Sequence, residues 1–452
     1  MSLSCIILAG GSSSRFPSPL PKIFYPFIDK PLIDHLLESV LSFTWNKIVI
    51  VTGERSHEGL KLYEESGLVE RAYQSQPLGT WNALQTGLEK ISTEQCVVIN
   101  ADMPLLDAAL LHKVRLSPAP FTLVSTFHPN PYAYGRIIRN KNKVFEAVIE
   151  DKHLTDEQQN IREINAGLYK FQVKHLMNQF VECHQEGKEF YLTDLWKEKT
   201  DAIKLTEVIT YDDHRLLVGV NTWADFELAE QYYFQLKREN LVRQGAMLKN
   251  CNSIYPIGKT EVQEGVILEG PLLLQGLVNI GQNSRVHPLS VLKDSILRNQ
   301  VEVGFYSLLD SVSAASKSSL GPYLKATENT QIGEEAALGS FVEIKRSIVG
   351  YKTKAKHLSY VADATIGERC NIGAFVVFCN YDGKNKHSSV LGNEVFIGSS
   401  SQIISPIILK DKAYIGAGTT VTCDVDANTL MTRRAAIKMI ANWREKRKCV
   451  ES

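Results

Sequence analysis

The chain has no excess of either charge, no long apolar run and no clustered cysteine, and each absence narrows what it does. Lys+Arg and Asp+Glu both number 50 in 452 residues. No overall field therefore draws the chain to nucleic acid or inserts it into an anionic membrane, and any anion must be bound by a local site. The one basic run, Arg444 to Lys448, reads as a solvated tail. No segment is long and apolar enough to span a bilayer. The first apolar run, Cys5–Ala9, has no basic stretch before it and ends in glycines, which predicts a buried strand and not a signal peptide. The eight cysteines are scattered without a Cys-x-x-Cys pair; that argues against a zinc site or a disulfide framework and predicts a cytoplasmic location.

What is present falls into two halves. In the first, apolar strands alternate with helical patterns: a strand at Cys5–Ala9, a helix over Pro31–Ser42, a strand at Lys47–Thr52, a helix over Thr80–Ile91 and a strand at Cys96–Asn100. Such alternation predicts a Rossmann-like α/β domain with a mostly parallel sheet. Ligands in these sheets bind beyond the carboxyl ends of the strands, where Gly10, Thr52 and Asp102 fall. Thr222 to Arg243 reads as one long polar helix.

Beyond that helix the period changes. Positions 391, 397, 403, 409, 415 and 421 are Leu, Ile, Ile, Leu, Ile and Val, and Gly392, Gly398 and Gly416 follow three of them. Ile332, Leu338 and Ile344, and later Ile366 and Ile372, continue the theme. A six-residue period is the mark of hexapeptide repeats wound into a left-handed parallel β-helix. The predicted organisation is a nucleotide-handling domain over 1–221, a linker helix over 222–245 and a β-helix over 246–452 with the basic tail.

Chemistry gathers first at Gly10-Gly11-Ser12-Ser13-Ser14. Glycine lets backbone N–H groups approach phosphates closely. The loop is not a Walker A motif, since Gly-Lys-Ser/Thr is absent. Arg15 and Lys22 add two cations able to neutralise a triphosphate and the charge that moves onto leaving pyrophosphate.

Leu8-Ala9-Gly10-Gly11-Ser12-Ser13-Ser14-Arg15 followed by Leu20-Pro21-Lys22 resembles the signature of nucleoside-diphosphate-sugar pyrophosphorylases. Further segments carry the resemblance to the bifunctional bacterial N-acetylglucosamine-1-phosphate uridyltransferase / glucosamine-1-phosphate acetyltransferase family. They are Gln74 with Leu78-Gly79-Thr80, Asn100-Ala101-Asp102-Met103-Pro104-Leu105, Tyr134-Gly135-Arg136-Ile137, Glu163-Ile164-Asn165-Ala166-Gly167, Tyr191-Leu192-Thr193-Asp194 and Gly219-Val220-Asn221. The resemblance implies that Leu8, Ala9, Gly10, Gly11, Lys22, Gln74, Gly79, Thr80, Asn100 and Ala101 hold the uridine nucleotide. It implies that Gly135, Glu150, Asn165, Tyr191 and Thr193 hold the amino sugar. Asp102 and Asn221 resemble the ligands of Mg²⁺, an Asp carboxylate and an Asn carbonyl being hard oxygen donors. Arg15 and Lys22 are the expected catalytic cations.

In the β-helix half, Lys356-His357-Leu358-Ser359-Tyr360 and Cys379-Asn380-Tyr381-Asp382-Gly383 resemble the acetyltransferase of the same family. The resemblance makes His357 the general base, an imidazole being suited to take a proton near neutral pH. Thr327, Lys345, Tyr360, Asn371, Asn380 and Tyr381 are the expected contacts of the acetyl acceptor; Ala374, Ser399, Ala417 and Arg434 are those of acetyl-CoA, the acetyl donor. A homotrimer is implied, with UTP, sugar-1-phosphates and acetyl-CoA as substrates. Departures from the family pattern are Trp81-Asn82 after Gly79-Thr80, Asn100-Ala101 where Tyr-Gly is usual, Thr327 where an arginine grips the sugar phosphate, and Phe375-Val376 where Gly-Thr is usual. Two other readings stand beside the bifunctional one. One is a uridyltransferase whose β-helix only trimerises. The other is an ADP-glucose or dTDP-glucose pyrophosphorylase with a regulatory β-helix, against which His357 and the Asn380–Gly383 segment speak.

Overall fold

The computed structural model describes residues 2–10, 16, 18, 20–75, 78–131, 133–180, 191–197, 200–433 and 439–443. Gly11, Arg15 and Arg434 lie outside the described residues, as does the basic run 444–448. The chain divides into two compact units, Met1–Tyr233 and Phe234–Ser452.

The first unit is built on one sheet. Strand β1 (Leu3–Ala9) is followed by α1 (Leu32–Leu41), β2 (Ile48–Thr52), β3 (Glu70–Tyr73), α2 (Thr80–Leu88), β4 (Gln95–Asn100), α3 (Ala108–Leu116), β5 (Phe121–Phe127), β6 (Arg136–Arg139), β7 (Phe145–Ile149), β8 (Glu163–Gln172) and β9 (Thr206–Thr210). The order is β9-β5-β8-β4-β1-β2-β3, with β6 paired to β8 and β7. β1, β2, β3 and β4 run parallel, and β8 is antiparallel to both its neighbours β4 and β5. β1, β2 and β4 are near-continuous apolar runs because helices cover both faces of the sheet. Ile7, Ile50, Val97 and Ile99 join the core under α1 and α3, while Ile6, Val49, Val51 and Val98 join the core under α2. The predicted helices and strands of this half are found within a few residues of their expected ends.

A long helix, α4 (Trp223–Arg243), follows. In the first unit its opening turns stack Trp223 and Phe226 on Phe16 and Tyr25, with ring centroids 4.1 Å apart for Phe16–Trp223. Within the second unit Phe234 packs edge-on against Tyr255 and Leu241 is buried in the β-helix core.

The second unit is a left-handed parallel β-helix, every strand pairing parallel with the coil before and after it. One column runs Leu268, Val286, Val303, Leu320, Leu338, Ala355, Ile372, Ile397 and Ile415, all buried. Its steps are close to three hexapeptides, except that from Ile372 to Ile397, which contains the segment Asn380 to His387. This segment interrupts the period, as expected. Each coil buries the apolar face of the next, which is why the repeat and not an amphipathic pattern carries the fold.

Candidate functional site

The carboxyl ends of β1 and β4 open into a cavity of about 500 Å³. β1 and β4 are paired so that Leu8 lies opposite Asn100, and Ala101 N donates to Leu8 O at 3.0 Å. This places Leu8, Asn100 and Asp102 on the cavity wall. Gly79 has φ +96°, a left-handed turn that suits glycine, and starts α2. Thr80 then accepts from Leu192 N at 2.8 Å, tying α2 to the segment that carries Tyr191 and Thr193. Thr193 donates to the Glu150 carboxylate, Asn165 donates to Tyr169 Oη at 2.7 Å, and Lys152 Nζ reaches Tyr191 Oη at 3.0 Å. Gly135, Glu150, Asn165, Tyr191, Thr193 and Asn221 all line the cavity. The amino-sugar residues expected from the sequence are thus brought together on one wall. Ala9, Gly10, Gln74, Gly79, Ala101 and Lys22 border the same strand ends without being part of its lining.

The polar centre is small. Lys22 Nζ donates to Asp102 Oδ2 at 2.9 Å and to Asn221 Oδ1 at 3.2 Å. The Lys22 and Asp102 side chains are 13% and 16% exposed, so the pair is only partly screened by water. One cation therefore already draws two hard oxygens together, and this pair fits a divalent metal that completes its shell with water and phosphate. Among the described residues no group of three or more His, Cys, Asp or Glu could hold a metal; the two-donor site is of the kind Mg²⁺ uses.

Two groups here were not singled out by sequence reasoning. Tyr134 lines the cavity, and its hydroxyl accepts from Gly219 N at 2.9 Å, while Val220 N donates to Asp102 O at 2.8 Å. Burial pushes the Tyr134 phenol well above its ordinary range. Asp225 accepts from Asn221 N at 3.0 Å and Thr222 N at 2.8 Å, while Thr222 Oγ1 accepts from Asp225 N. This is a reciprocal capping box that fixes Asn221 at the entry of α4. Its signal, Thr222-x-x-Asp225 at the start of a long helix, was present in the sequence.

In the β-helix, His357 ends the strand Lys354–His357 and is exposed. Stacking of successive coils is marked by Phe375 N on Leu358 O at 2.8 Å, Ser400 N on Ala374 O at 2.7 Å and Gly418 N on Ser399 O at 2.9 Å. His357, Ala374, Ser399 and Ala417 consequently rise on four successive coils, bringing the expected base and donor-binding positions into one column. Thr327 lies beside Lys345 in register, Lys345 beside Ala362, and the Lys345 ammonium sits 5.4 Å from the Tyr360 ring centroid. Asn371 stands on the coil above Lys354. Asn380 is buried and donates to Asp363 Oδ2, whose carboxylate also takes Arg346 Nε at 2.6 Å. Tyr381 is exposed and donates to Gly383 O at 2.8 Å.

Phe375 does not fill the coil. Val376 is the buried residue there, and Phe375 is 56% exposed with φ +61°. It continues a column of exposed apolar side chains in the left-handed conformation: Leu289, Tyr306, Tyr323, Phe341 and Leu358. Tyr306–Tyr323 and Tyr323–Phe341 are stacked at 4.9 and 4.8 Å.

A strand-end cavity with Lys22 between Asp102 and Asn221 on a mostly parallel sheet, followed by a hexapeptide β-helix, fits a nucleotidyltransferase joined to an acyltransferase. Residues 5–134 match the MobA-like NTP transferase domain, and residues 390–423 match the hexapeptide repeat of succinyl-transferase. Similar full-length proteins include the "Bifunctional protein GlmU" of Blochmanniella pennsylvanica, 32% identical over 98% of this chain and 98% of that protein. That of Syntrophomonas wolfei is 32% identical over 97% and 99%, and that of Carboxydothermus hydrogenoformans is 31% identical over 95% and 97%. The chain belongs to the bifunctional GlmU family. It is an enzyme with two transferase halves.

Proposed function

We propose the following division of labour for the two reactions of this enzyme: acetyl transfer from acetyl-CoA to glucosamine-1-phosphate, then uridylyl transfer from UTP to the N-acetylglucosamine-1-phosphate so formed, giving UDP-N-acetylglucosamine. The observation that carries the second reaction is Lys22 held between Asp102 and Asn221 at the mouth of the first-unit cavity. A phosphate oxygen of the sugar phosphate attacks the α-phosphorus of UTP. The new P–O bond forms as the bond to the bridging α–β oxygen breaks, and pyrophosphate leaves with the bonding pair. Lys22 supplies positive charge to the phosphates, and Leu8, Gly10 and Thr80 seat the nucleotide against β1. Glu150, Asn165, Tyr191 and Thr193 seat the sugar. Mg²⁺, held by Asp102 and Asn221, would neutralise charge on the reacting phosphates.

For acetyl transfer, the amine nitrogen attacks the thioester carbon, the C–S bond breaks and the coenzyme leaves as its thiol. His357 takes the proton from the amine. The exposed apolar column beside His357 supports a trimer of β-helices, an exposed stripe of this size being a surface that association buries. A cytoplasmic location is proposed with it, supported by the six described cysteines all being free. Among the described residues no helix is long and apolar enough to cross a membrane.

Running each half-reaction separately tests the reading. Pyrophosphate release should require UTP, N-acetylglucosamine-1-phosphate and Mg²⁺, and thiol release should require acetyl-CoA and glucosamine-1-phosphate. A preference for ATP or dTTP would refute the nucleotide assignment; absence of thiol release from folded protein would leave the β-helix a scaffold.

A further inference from the structure

Gln74 is 6% exposed, and the two ends of its amide are used differently. Its Nε2 donates to Asn82 Oδ1 at 2.8 Å and to Gly79 O at 3.3 Å. Gly79 O is a main-chain carbonyl that can only accept, so it fixes which end of the amide is the nitrogen. The carbonyl Oε1 is turned toward Gly10, close enough that a Cβ at residue 10 would collide with it. Among the described residues no donor reaches Oε1. Gln74 N donates to Thr52 O at 2.8 Å, which anchors this arrangement to the carboxyl end of β2, beside that of β1. Oε1 is thus the unused end of the amide, an acceptor that a ligand donor can engage.

We propose that Asn82 is a specificity-determining positioning residue: by taking the Gln74 N–H, it presents Gln74 Oε1 as an acceptor to the N3–H of a uracil base. The proposal rests on the uridylyl-transfer reading. Uracil carries a donor at ring position 3 and cytosine carries a bare acceptor, so a fixed carbonyl pairs with one and repels the other. Asn82 stands at the start of α2 with its main-chain carbonyl engaged by Thr86 Oγ1 at 3.1 Å, which holds its Cα in place. Without the Asn82 side chain, only the longer bond to Gly79 O restrains the amide. Its rotation would turn Nε2 toward the base and offer cytosine the donor it needs.

The test is kcat/KM for UTP and for CTP, measured on the full chain with N-acetylglucosamine-1-phosphate and Mg²⁺. Asn82→Ala should lower the UTP:CTP ratio by about tenfold, the value of one oriented hydrogen bond. Asn82→Asp, which keeps an acceptor for Nε2, should retain the ratio. Alanine is favoured in a helix; should Asn82→Ala fold poorly, Asn82→Leu removes the acceptor at similar volume and must give the same fall. If the variants without an acceptor lose activity equally toward both nucleotides and keep the wild-type ratio, Asn82 is only structural and the proposal is overturned. A wild-type enzyme that does not prefer UTP would overturn the uridylyl reading itself, which is a separate result.

Discussion

Thr327 shows how one side chain can tune an otherwise complete site. The cations near it are engaged: Lys325 pairs with Glu343 at 3.1 Å, and Arg346 binds Asp363 and Glu328. Lys345 beside Thr327 is the cation best placed for a phosphate, and it is a point charge without a guanidinium's fork. Thr327→Arg should therefore lower KM for glucosamine-1-phosphate by about tenfold with kcat little changed, a charge-assisted bidentate contact being worth at least that. Thiol release at varied sugar phosphate measures it; an unchanged KM would show that the phosphate is held elsewhere. Phe375 gives a second residue-level expectation. A phenylalanine at φ +61° costs roughly 1–2 kcal/mol, a cost glycine escapes while losing more chain entropy on folding. Phe375→Gly relieves that cost but takes a ring from the column the trimer buries, so it should lower the melting temperature while raising kcat/KM for acetyl-CoA by opening the column beside Ala374. These residues also mark the limit of sequence reading. The identity of Thr327 was plain, but the occupation of its neighbouring cations depends on cross-coil pairing, which has no local signature. Likewise the sequence does not say which way the phenylalanine after Gly373-Ala374 points, and only the left-handed backbone decides that it points outward.

At the scale of elements, the two periods in the sequence were enough. Apolar runs ending at Gly10, Thr52 and Asp102 became parallel strands with their ligand ends together, because a parallel sheet forces alternate connections to the same side. The six-residue spacing became the β-helix, and its interruption at Asn380–His387 became a projecting segment. What the periods could not show were polar ladders between coils. Glu269, at the end of the strand Ile267–Glu269, accepts from Lys249 Nζ at 2.9 Å and from Arg285 Nη2 at 2.6 Å, residues well separated in sequence. Hydrogen bonding to Lys249 first, and then to Arg285, lowers the Glu269 carboxyl from 4.5 to about 2. Its stabilisation is therefore complete above pH 4.5, where the unfolded carboxyl is ionised, and is lost as the pH falls toward 2. Glu269→Gln should lower β-helix stability by about 1 kcal/mol at pH 7, with both cations partly solvated. The difference from wild type in urea midpoint should shrink as the pH is lowered from 4.5 to 3.5. A difference independent of pH would assign the effect to packing.

For the whole molecule, the question is how much of the chain each reaction needs. Every residue lining the first-unit cavity lies in Met1–Tyr233, and that unit has apolar cores of its own. The opening of α4 belongs to it energetically. Asp225 holds the backbone of Asn221, Ala224 and Asp225 line the cavity, and Trp223 and Phe226 close an aromatic cluster with Phe16, Tyr25 and Phe27. A fragment of residues 1–245 should therefore fold, sediment as a monomer and keep uridylyl kcat/KM within about threefold of the full chain, as a domain with its own core does. A fragment ending at Asn221 keeps the Asn221 side chain but loses the capping box, the buried Phe226 and the Trp223 ring stacked on Phe16, and should fall by about a hundredfold or fail to fold, burial of one aromatic ring alone being worth about 3 kcal/mol. Neither fragment should release thiol from acetyl-CoA. The full chain should sediment as a trimer through the column from Leu289 to Phe375. Pyrophosphate release, thiol release and sedimentation on the three proteins decide the matter. If 1–245 is folded yet inactive with UTP, uridylyl transfer needs the β-helix; if 1–221 is fully active, the start of α4 contributes nothing to the site.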